Sequence, residues 1–315
     1  MAAFFLHMLM LSVFTGVTAR TDLLRPPSVT FAAAPSSGDS AQPGPSQGPK
    51  DSAVAPPRKI DPASLGVRLT APTSALVDVR SGEILFSEGD DRVAPIASIT
   101  KLMTALVLLD AKPDWDAPVT IEAGDNALEG IQYLKVGDTL SARDAFKVML
   151  VGSANNCAMA LSRSAGMTRE QFVARMNSKA RELGLSHTVF VDPTGYLPQN
   201  RSVALEVARL AYAAVSRPEV RDALTTKRLS VRTSAGVERD VPATDELLDS
   251  FLNQGDFQIV GGKTGYTQEA GYTLVLRAKK GAADVIAVTL GSSSSDARFQ
   301  DAKSLLFWGF KTFEW

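Results

Sequence analysis

Segments that favour β-strands stand at both ends of the chain, and segments that favour helices lie between them. Near the start, residues 74–79 and 83–87 are rich in apolar and β-branched residues and flank a turn at Gly82, which is typical of a β-hairpin. Near the end, three more β-rich runs cover residues 257–267, 272–278 and 284–290. This order predicts an α+β domain in which one antiparallel sheet combines both chain ends and the helices form an inserted region.

The helical region is delimited by capping residues. Ser141 with Asp144, and Thr168 with Gln171, match the pattern of a helix N-cap, and Gly184 matches the glycine that ends a helix. Further helices are predicted over residues 203–215 and 297–313, the last one packing on the sheet, and short strands over residues 119–121 and 132–134.

The first 66 residues differ in composition from the rest. Residues 1–19 are almost wholly apolar and end in small residues, which predicts a signal peptide or an N-terminal hydrophobic segment, although no Lys or Arg precedes the apolar run. Residues 20–66 are rich in Pro, Ser, Ala and Gly and predict a disordered linker, because such a segment buries too little apolar surface to offset its ordering entropy. The folded domain is expected over residues 67–315.

Charge and residue counts argue against several classes of function. With a formal net charge of -1 and an isoelectric point near 6.2, the chain has no electrostatic feature that favours nucleic acid. The single cysteine, Cys157, excludes a disulfide framework, and with two histidines a His/Cys zinc site lacks ligands. No metal or organic cofactor is implied by the sequence. A Ser-His-Asp triad would have to use His187, whose place at a predicted helix end favours a structural role.

Ser98 and Lys101 form a Ser-x-x-Lys pair at the start of an apolar run that extends to Leu109. If the run is a helix, residues three positions apart lie on one face, and the lysine amine reaches the hydroxyl. A serine nucleophile needs such a base when no histidine is available. Taken alone, the pair is also common on solvated helix faces, so its meaning depends on other motifs.

Two further motifs complete a set. Ser153-x-Asn155 lies between two predicted helices, and Lys263-Thr264-Gly265 lies on the first of the C-terminal strands. Ser-x-x-Lys, Ser-x-Asn and Lys-Thr-Gly, in this order, are the signature of serine penicillin-binding proteins and β-lactamases. Over residues 74–313 the sequence resembles the D-alanyl-D-alanine carboxypeptidase family of low-molecular-weight penicillin-binding proteins, which includes D,D-endopeptidases. The resemblance implies the α+β fold of penicillin-binding proteins and β-lactamases.

The resemblance also implies roles for the first two motifs. Ser98 would attack the carbonyl of a D-Ala-D-Ala peptide bond and form an acyl-enzyme, with Lys101 taking the proton. A free lysine is almost entirely protonated at neutral pH, so Lys101 needs a pKa lowered by about 3 units, or about 4 kcal/mol. Desolvation and like-charge repulsion are the expected sources, with Lys263 as the second charge. Ser153 would relay a proton toward the leaving amine, and Asn155 would hold the substrate amide.

The third motif is expected to bind substrate. Lys263 and Thr264 suit the terminal carboxylate, and Gly265 lets a peptide lie close along the strand. By resemblance, the backbone N–H groups of Ser98 and Tyr266 form the oxyanion hole.

Three alternatives stand beside a carboxypeptidase. A class A β-lactamase also needs a Glu-x-x-Leu-Asn string, and the nearest match, residues 249–253, carries Asp249 in place of Glu and is interpreted as a loop or helix end. A D,D-endopeptidase is favoured by the end of the chain at Trp315, because carboxypeptidases of the family often carry a further C-terminal domain. A non-catalytic penicillin-recognising sensor would predict a damaged motif, and all motif residues are present.

The expected partners and location follow from the same resemblance. Peptidoglycan stem peptides would be the substrates, and β-lactam antibiotics the inhibitors. The protein is expected to be exported, to the periplasm or the extracytoplasmic face of the cytoplasmic membrane, with a membrane contact at most through residues 1–19. The aromatic C-terminal end is expected to pack the last helix on the sheet.

Overall fold

The computed structural model describes residues 54–126 and 130–315. The predicted signal segment, residues 1–19, lies outside the described residues, as does the linker prediction up to residue 53.

The described residues form a mixed α+β structure. The strands are β1 (Arg58–Lys59), β2 (Thr73–Asp78), β3 (Ile84–Glu88), β4 (Ala94–Pro95), β5 (Pro118–Thr120), β6 (Thr139–Ser141), β7 (Arg201–Ser202), β8 (Arg228–Arg232), β9 (Glu238–Pro242), β10 (Phe257–Thr267), β11 (Gly271–Lys280), β12 (Ala283–Ser292) and β13 (Phe313–Glu314). The α-helices are α1 (Lys101–Asp110), α2 (Ala142–Val151), α3 (Asn155–Ser164), α4 (Arg169–Glu182), α5 (Ala204–Val215), α6 (Pro218–Leu224) and α7 (Ser295–Thr312). Short 3-10 helices cover Ala97–Thr100, Ala123–Asn126, Glu246–Asp249 and Phe251–Asn253.

The main sheet combines both chain ends, as predicted. Its five strands run in the order β10-β11-β12-β2-β3, and every neighbouring pair is antiparallel. The N-terminal hairpin therefore joins the three C-terminal strands through the β12–β2 pair, which confirms the predicted fold. Among the described strands, β10 pairs on one side only, with β11. Its other edge faces the inserted helical region, and the unpaired backbone groups there are available to an extended peptide.

Both faces of the sheet are covered, so its central strands are apolar at successive positions. In β2, Ala75 and Val77 pack into the core shared with the helical region, whereas Leu76 packs into the core beneath α7. In β12, Ile286 packs into the core shared with the helical region, and Val285 packs into the core beneath α7. Successive side chains of a strand point to opposite faces, and here each face has its own layer of helices.

The helix boundaries follow the capping residues. The hydroxyl of Ser141 accepts from the backbone N–H of Asp144 at 3.1 Å, and Thr168 with Gln171 forms a complete capping box. Gly184 has a φ of 68°, the left-handed conformation that glycine adopts at a helix end. These three predictions are confirmed.

The linker prediction is wrong for residues 58–66. Strand β1 pairs with β13, and the N–H of Ile60 donates to the carbonyl of Thr312 at 2.8 Å. The indole of Trp308 donates to the hydroxyl of Ser64 at 2.9 Å. Beyond this segment, the indole of Trp315 donates to the carboxylate of Asp78 on β2 at 2.6 Å. Composition averages over a segment and misses these backbone pairings and indole contacts with residues at the far end of the chain.

Two other local predictions need correction. In the described chain no strand forms at residues 132–134; the partner of β5 is β6, while the carbonyl of Leu134 accepts from the side-chain amide of Asn156 at 2.9 Å. The hairpin of β8 and β9 was not predicted, because its outward positions are charged and only Val231 and Val241 are buried.

No helix within residues 54–126 and 130–315 combines the length and the apolar character needed to cross a membrane.

Candidate active site

Ser98 lies in the 3-10 turn that leads into α1, so the Ser-x-x-Lys pair is helical as predicted. The Nζ of Lys101 donates to the Oγ of Ser98 at 2.9 Å. Ala97, just before the serine, has a φ of 47°, a left-handed conformation that is strained for a residue with a side chain. Such strain is found where the surrounding structure holds a functional side chain in a fixed orientation.

Lys101 is fully buried and has three hydrogen-bond acceptors. Besides Ser98, its Nζ contacts the Oδ1 of Asn155 at 2.6 Å and the carbonyl oxygen of Thr194 at 2.8 Å. Burial lowers the pKa of Lys101 to about 7, while the Asp192 charge opposes this shift. Neutral Lys101 can donate its two N–H bonds to Asn155 and Thr194, which leaves its lone pair directed at the serine hydroxyl.

Burial, one of the two expected sources, is the main cause of the lowered pKa of Lys101, whereas a charge on Lys263 is not among its causes. The pKa of Lys263 is lowered well below its usual value by burial, by Lys101 and by Arg298, so the two lysines do oppose each other's protonation.

A buried loop holds the acceptor behind Lys101. Asp192 accepts from the N–H groups of Thr194 (2.6 Å), Gly195 (2.8 Å) and Leu197 (3.0 Å) and from the side-chain amide of Asn200 (2.5 Å). These bonds fix the carbonyl of Thr194 against α1. The Asp-Pro-Thr-Gly segment, residues 192–195, therefore positions an acceptor for the Lys101 amine.

The Ser-x-Asn motif faces the Lys-Thr-Gly motif across the site. Ser153 lies between α2 and α3 with a φ of 61°, and its Oγ accepts from the Nζ of Lys263 at 2.9 Å. Lys263 also donates to the carbonyl of Thr264 at 2.9 Å. Asn155, the first residue of α3, contacts Lys101, so the second motif bridges the two lysines.

Glycine is required at residue 265 for a reason beyond the predicted one. A Cβ there would lie 2.5 Å from the Oγ1 of Thr273 and 3.0 Å from the backbone nitrogen of Ser98. Glycine therefore lets the serine turn pack directly on β10. This packing brings the N–H of Ser98 close to the strand that carries Tyr266, the second predicted oxyanion donor.

The cleft in front of these residues has a volume of about 880 Å³. One wall is the free edge of β10, where Tyr266 is exposed and its ring packs on Tyr272 with centroids 4.4 Å apart. The opposite wall includes Leu197 and Pro198, and Ser98 lies between the walls. An extended peptide fits this shape, with main-chain bonds to β10 and its scissile carbonyl near Ser98.

Two residues that line the cleft were not predicted from the sequence. Arg298 of α7 donates to the carbonyl of Gly265 at 3.4 Å, and its guanidinium lies over the rings of Tyr272 and Phe299. Thr244 accepts from the Oγ1 of Thr264 at 2.6 Å. Neither residue stands out in the sequence, because Arg298 lies on an amphipathic helix and Thr244 simply follows a strand. Their place in the cleft becomes visible only in the tertiary structure.

The residues that the sequence analysis set aside lie elsewhere. His187 is exposed, and its Nδ1 is 2.9 Å from the carboxylate of Glu206. Cys157 is buried in α3, and burial raises the pKa of its thiol. Asp249 forms an exposed ion pair with Lys227. None of these three is among the residues that line the cleft in the described chain.

Comparison with known proteins agrees with this geometry. The family model described as D-alanyl-D-alanine carboxypeptidase matches residues 59–294. A D-alanyl-D-alanine endopeptidase of Pseudomonas aeruginosa is 33% identical over 259 residues, which cover 82% of each chain. The D-alanyl-D-alanine carboxypeptidase DacC of Escherichia coli is 32% identical over 76% of this chain and 61% of its own length.

Solved structures show the same fold. The Streptomyces K15 DD-transpeptidase matches with a TM-score of 0.71 and 29% identity, covering 79% of this chain and all (100%) of its own. Penicillin-binding protein D2 of Listeria monocytogenes, solved in an ampicillin-bound form, matches with a TM-score of 0.66 and 30% identity over 78% of this chain. The family match, the relatives and the shared fold together show that this chain is a serine peptidase of the D-alanyl-D-alanine carboxypeptidase family.

Proposed function

We propose that the protein is a serine-type D-Ala-D-Ala carboxypeptidase that acts on peptidoglycan stem peptides through an acyl-enzyme on Ser98. The observation that carries this proposal is the buried Lys101 amine, which lies 2.9 Å from the Ser98 hydroxyl and has a pKa of about 7. Near neutral pH about half of such lysines are neutral and can accept a proton.

Acylation follows from this contact. The Ser98 Oγ attacks the carbonyl carbon of the penultimate D-Ala while its proton passes to Lys101. The backbone N–H groups of Ser98 and Tyr266 stabilise the negative oxygen that develops, and each such donor contributes about 3 kcal/mol to lowering the barrier. The close packing of the serine turn on β10 at Gly265 supports this pairing of donors.

The leaving D-Ala needs a proton on its nitrogen. Ser153 suits this transfer, because its hydroxyl accepts from Lys263 and faces the cleft. The hydroxyl gives its proton to the amine as the peptide bond breaks and regains one from the Lys263 ammonium. Water then attacks the acyl carbon and gives up a proton, which returns through Ser153 to Lys263. The ester bond to Ser98 breaks, Lys101 gives its proton back to the serine oxygen, and the stem peptide leaves with the penultimate D-Ala as its new C-terminal carboxylate.

A free carboxylate marks the end of such a substrate, and the site offers cations for it. Arg298 lines the cleft next to Gly265 and brings a guanidinium charge to this end of β10. Lys263 and Thr264 flank the same part of β10. Charge-assisted hydrogen bonds to a carboxylate are about twice as strong as neutral ones, which favours substrates with a free C-terminus.

A D,D-endopeptidase is the second candidate. Endopeptidases of Pseudomonas aeruginosa, Escherichia coli and Haemophilus influenzae are 33%, 29% and 32% identical to this chain, and 82%, 76% and 80% of their lengths are covered. The cleft between β10 and Leu197 is open, so it has room for a cross-linked peptide whose leaving group is larger than D-Ala.

We also propose that the protein works outside the cytoplasm, in the periplasm or on the outer face of the cytoplasmic membrane. The apolar residues 1–19 support export, and the substrate class is found there.

Intact-protein mass measured over time after mixing with benzylpenicillin tests the catalytic assignment. We expect a long-lived adduct on the wild type and none on Ser98→Ala. Pentapeptide and cross-linked dimer fragments then separate the two candidates, since a carboxypeptidase releases D-Ala from the first and an endopeptidase splits the second. Rapid turnover of penicillin without an adduct, or a folded wild type that forms no adduct, would contradict the proposal.

A further inference from the structure

Thr244 lies in the short segment after β9, and contacts on two sides fix its backbone. Its N–H donates to the carbonyl of Val151 at 3.1 Å, two residues before Ser153. The next residue, Asp245, accepts a backbone N–H of the following 3-10 helix at 3.0 Å. Its carboxyl group also packs so closely on Gly262 of β10 that a Cβ on this glycine would collide with it. Thr244 is therefore positioned between the Ser-x-Asn loop and the Lys-Thr-Gly strand.

The hydroxyl groups of Thr264 and Thr244 form a directed pair. The Oγ1 of Thr264 donates to the Oγ1 of Thr244 at 2.6 Å. Thr264 is buried, whereas Thr244 is half-buried, and both residues line the cleft. A hydroxyl carries one proton and can accept two hydrogen bonds. The proton of Thr264 is therefore used within the pair, and the proton of Thr244 has no acceptor in the part of the chain that the structure describes.

This pairing makes the Thr244 hydroxyl a better donor toward the cleft. A hydroxyl that accepts a hydrogen bond is polarised, and the bond that it donates in turn is strengthened. Such a donor suits an anion, because hydrogen bonds to a charged acceptor are about twice as strong as those between neutral groups. Its fixed backbone means that little ordering is needed when a ligand binds.

The leaving end of the substrate lies on the same side of the cleft. In the proposed reaction the Ser153 hydroxyl protonates the nitrogen of the leaving D-Ala, and only the Cα atom separates that nitrogen from the carboxylate carbon. Ser153 accepts from the Nζ of Lys263 at 2.9 Å, and Thr264 follows Lys263 on β10. A carboxylate held near Lys263 is therefore also close to the hydroxyl pair that Thr264 forms with Thr244.

We propose that Thr244 is a substrate-binding residue whose hydroxyl donates to the C-terminal carboxylate, so that it favours substrates with a free C-terminus. The inference rests on the function proposed above, because it requires a peptide that ends in D-Ala to occupy the cleft. Thr264 contributes through Thr244, since its own proton is directed there. The bond to Val151 uses only the backbone of Thr244, so the hydroxyl can be removed while that bond is kept.

Thr244→Val and Thr244→Ser separate a binding role from a structural one, because valine keeps the shape without the hydroxyl and serine keeps the hydroxyl. The readout is kcat/KM on an acyl-D-Ala-D-Ala peptide and on the same peptide carrying a C-terminal amide. For Thr244→Val we expect a loss of about 10 to 100-fold on the carboxylate and of about threefold or less on the amide, since the bond to a charged group is the stronger one. Thr244→Ser should remain within about threefold of wild type on both peptides.

Thr120→Val is the matched control. The hydroxyl of Thr120 pairs with that of Thr139 at 2.8 Å between β5 and β6, outside the cleft, so its loss should leave both rates unchanged. Thermal unfolding checks that each variant is folded, and Thr244→Ala replaces Thr244→Val if the valine variant is not. Equal losses on the carboxylate and the amide, or an unchanged rate on the carboxylate, would overturn the inference. A wild type that cleaves neither peptide and is not acylated by benzylpenicillin would overturn the proposed function itself, an outcome distinct from the other two.

Discussion

The backbone of Gly195 passes so close to that of Ala97 that a Cβ on Gly195 would lie 1.9 Å from the carbonyl oxygen of Ala97. The contact joins the loop held by Asp192 to the strained residue before Ser98. Ser98 and Lys101 are therefore positioned by one packed junction, and its integrity can be tested.

Gly195→Ala should disrupt this junction. The residue has a φ of 83° and no room for a side chain, so we expect a loss of stability on the order of 3 kcal/mol and an acylation rate reduced at least about tenfold. Gly236→Ala is the control, since its φ of 81° is almost the same but nothing lies within 4 Å of its Cβ position. It should cost only about 1 kcal/mol and leave acylation unchanged. Equal effects of the two variants on acylation would contradict the role of the junction.

The acylation rate should rise with pH through about 7. Only the neutral amine of Lys101 accepts the serine proton, and burial sets its pKa at about 7, so the acid limb should have that midpoint. Stopped-flow acylation by a chromogenic β-lactam measures it. Lys101→Met should lower the rate by about 10² to 10⁴-fold above pH 7, where the wild-type amine is neutral, and should remove this limb. An acid limb that persists in the folded variant would assign the titration to another group.

Arg298→Gln should weaken the recognition of the substrate carboxylate. We expect kcat/KM on an acyl-D-Ala-D-Ala peptide to fall about 10 to 100-fold, with a much smaller change on the same peptide carrying a C-terminal amide. Arg277→Gln serves as control, because that arginine pairs with Asp284 on the same sheet outside the cleft. Equal losses on the carboxylate and the amide would show that Arg298 has no direct part in carboxylate binding.

Asp192→Asn should loosen the loop behind Lys101. The carboxylate accepts from several donors at once, and an amide leaves some of these buried N–H groups without a partner, so we expect a loss of about 2 to 4 kcal/mol in chemical denaturation. The exposed Asp61 also accepts a backbone N–H, from Ala63, and Asp61→Asn should change stability by less than about 0.5 kcal/mol. A stable Asp192→Asn variant would mean that other contacts hold the loop.

Local structure was largely predictable from local patterns. The strands of the main sheet were identified because their apolar runs are long and are separated by turn residues, and the caps at Ser141 and Thr168 because capping depends on neighbours in sequence. The hairpin of β8 and β9 was missed, since its strands bury few side chains and its charged positions look like a loop. Strand β1 was missed because two residues carry too little information to predict pairing with β13.

By itself, the sequence determined the fold class and the three motifs, since strand and helix periodicities and the residues Ser98, Lys101, Ser153 and Lys263 are visible in the order of amino acids. Tertiary structure alone decided which groups meet around them: burial sets the pKa of Lys101, Asp192 fixes the acceptor behind it, and Arg298 and Asp245 approach β10 from distant segments. The physical reason is that desolvation and charge interaction depend on distances through space, and these arise only when remote parts of the chain pack together.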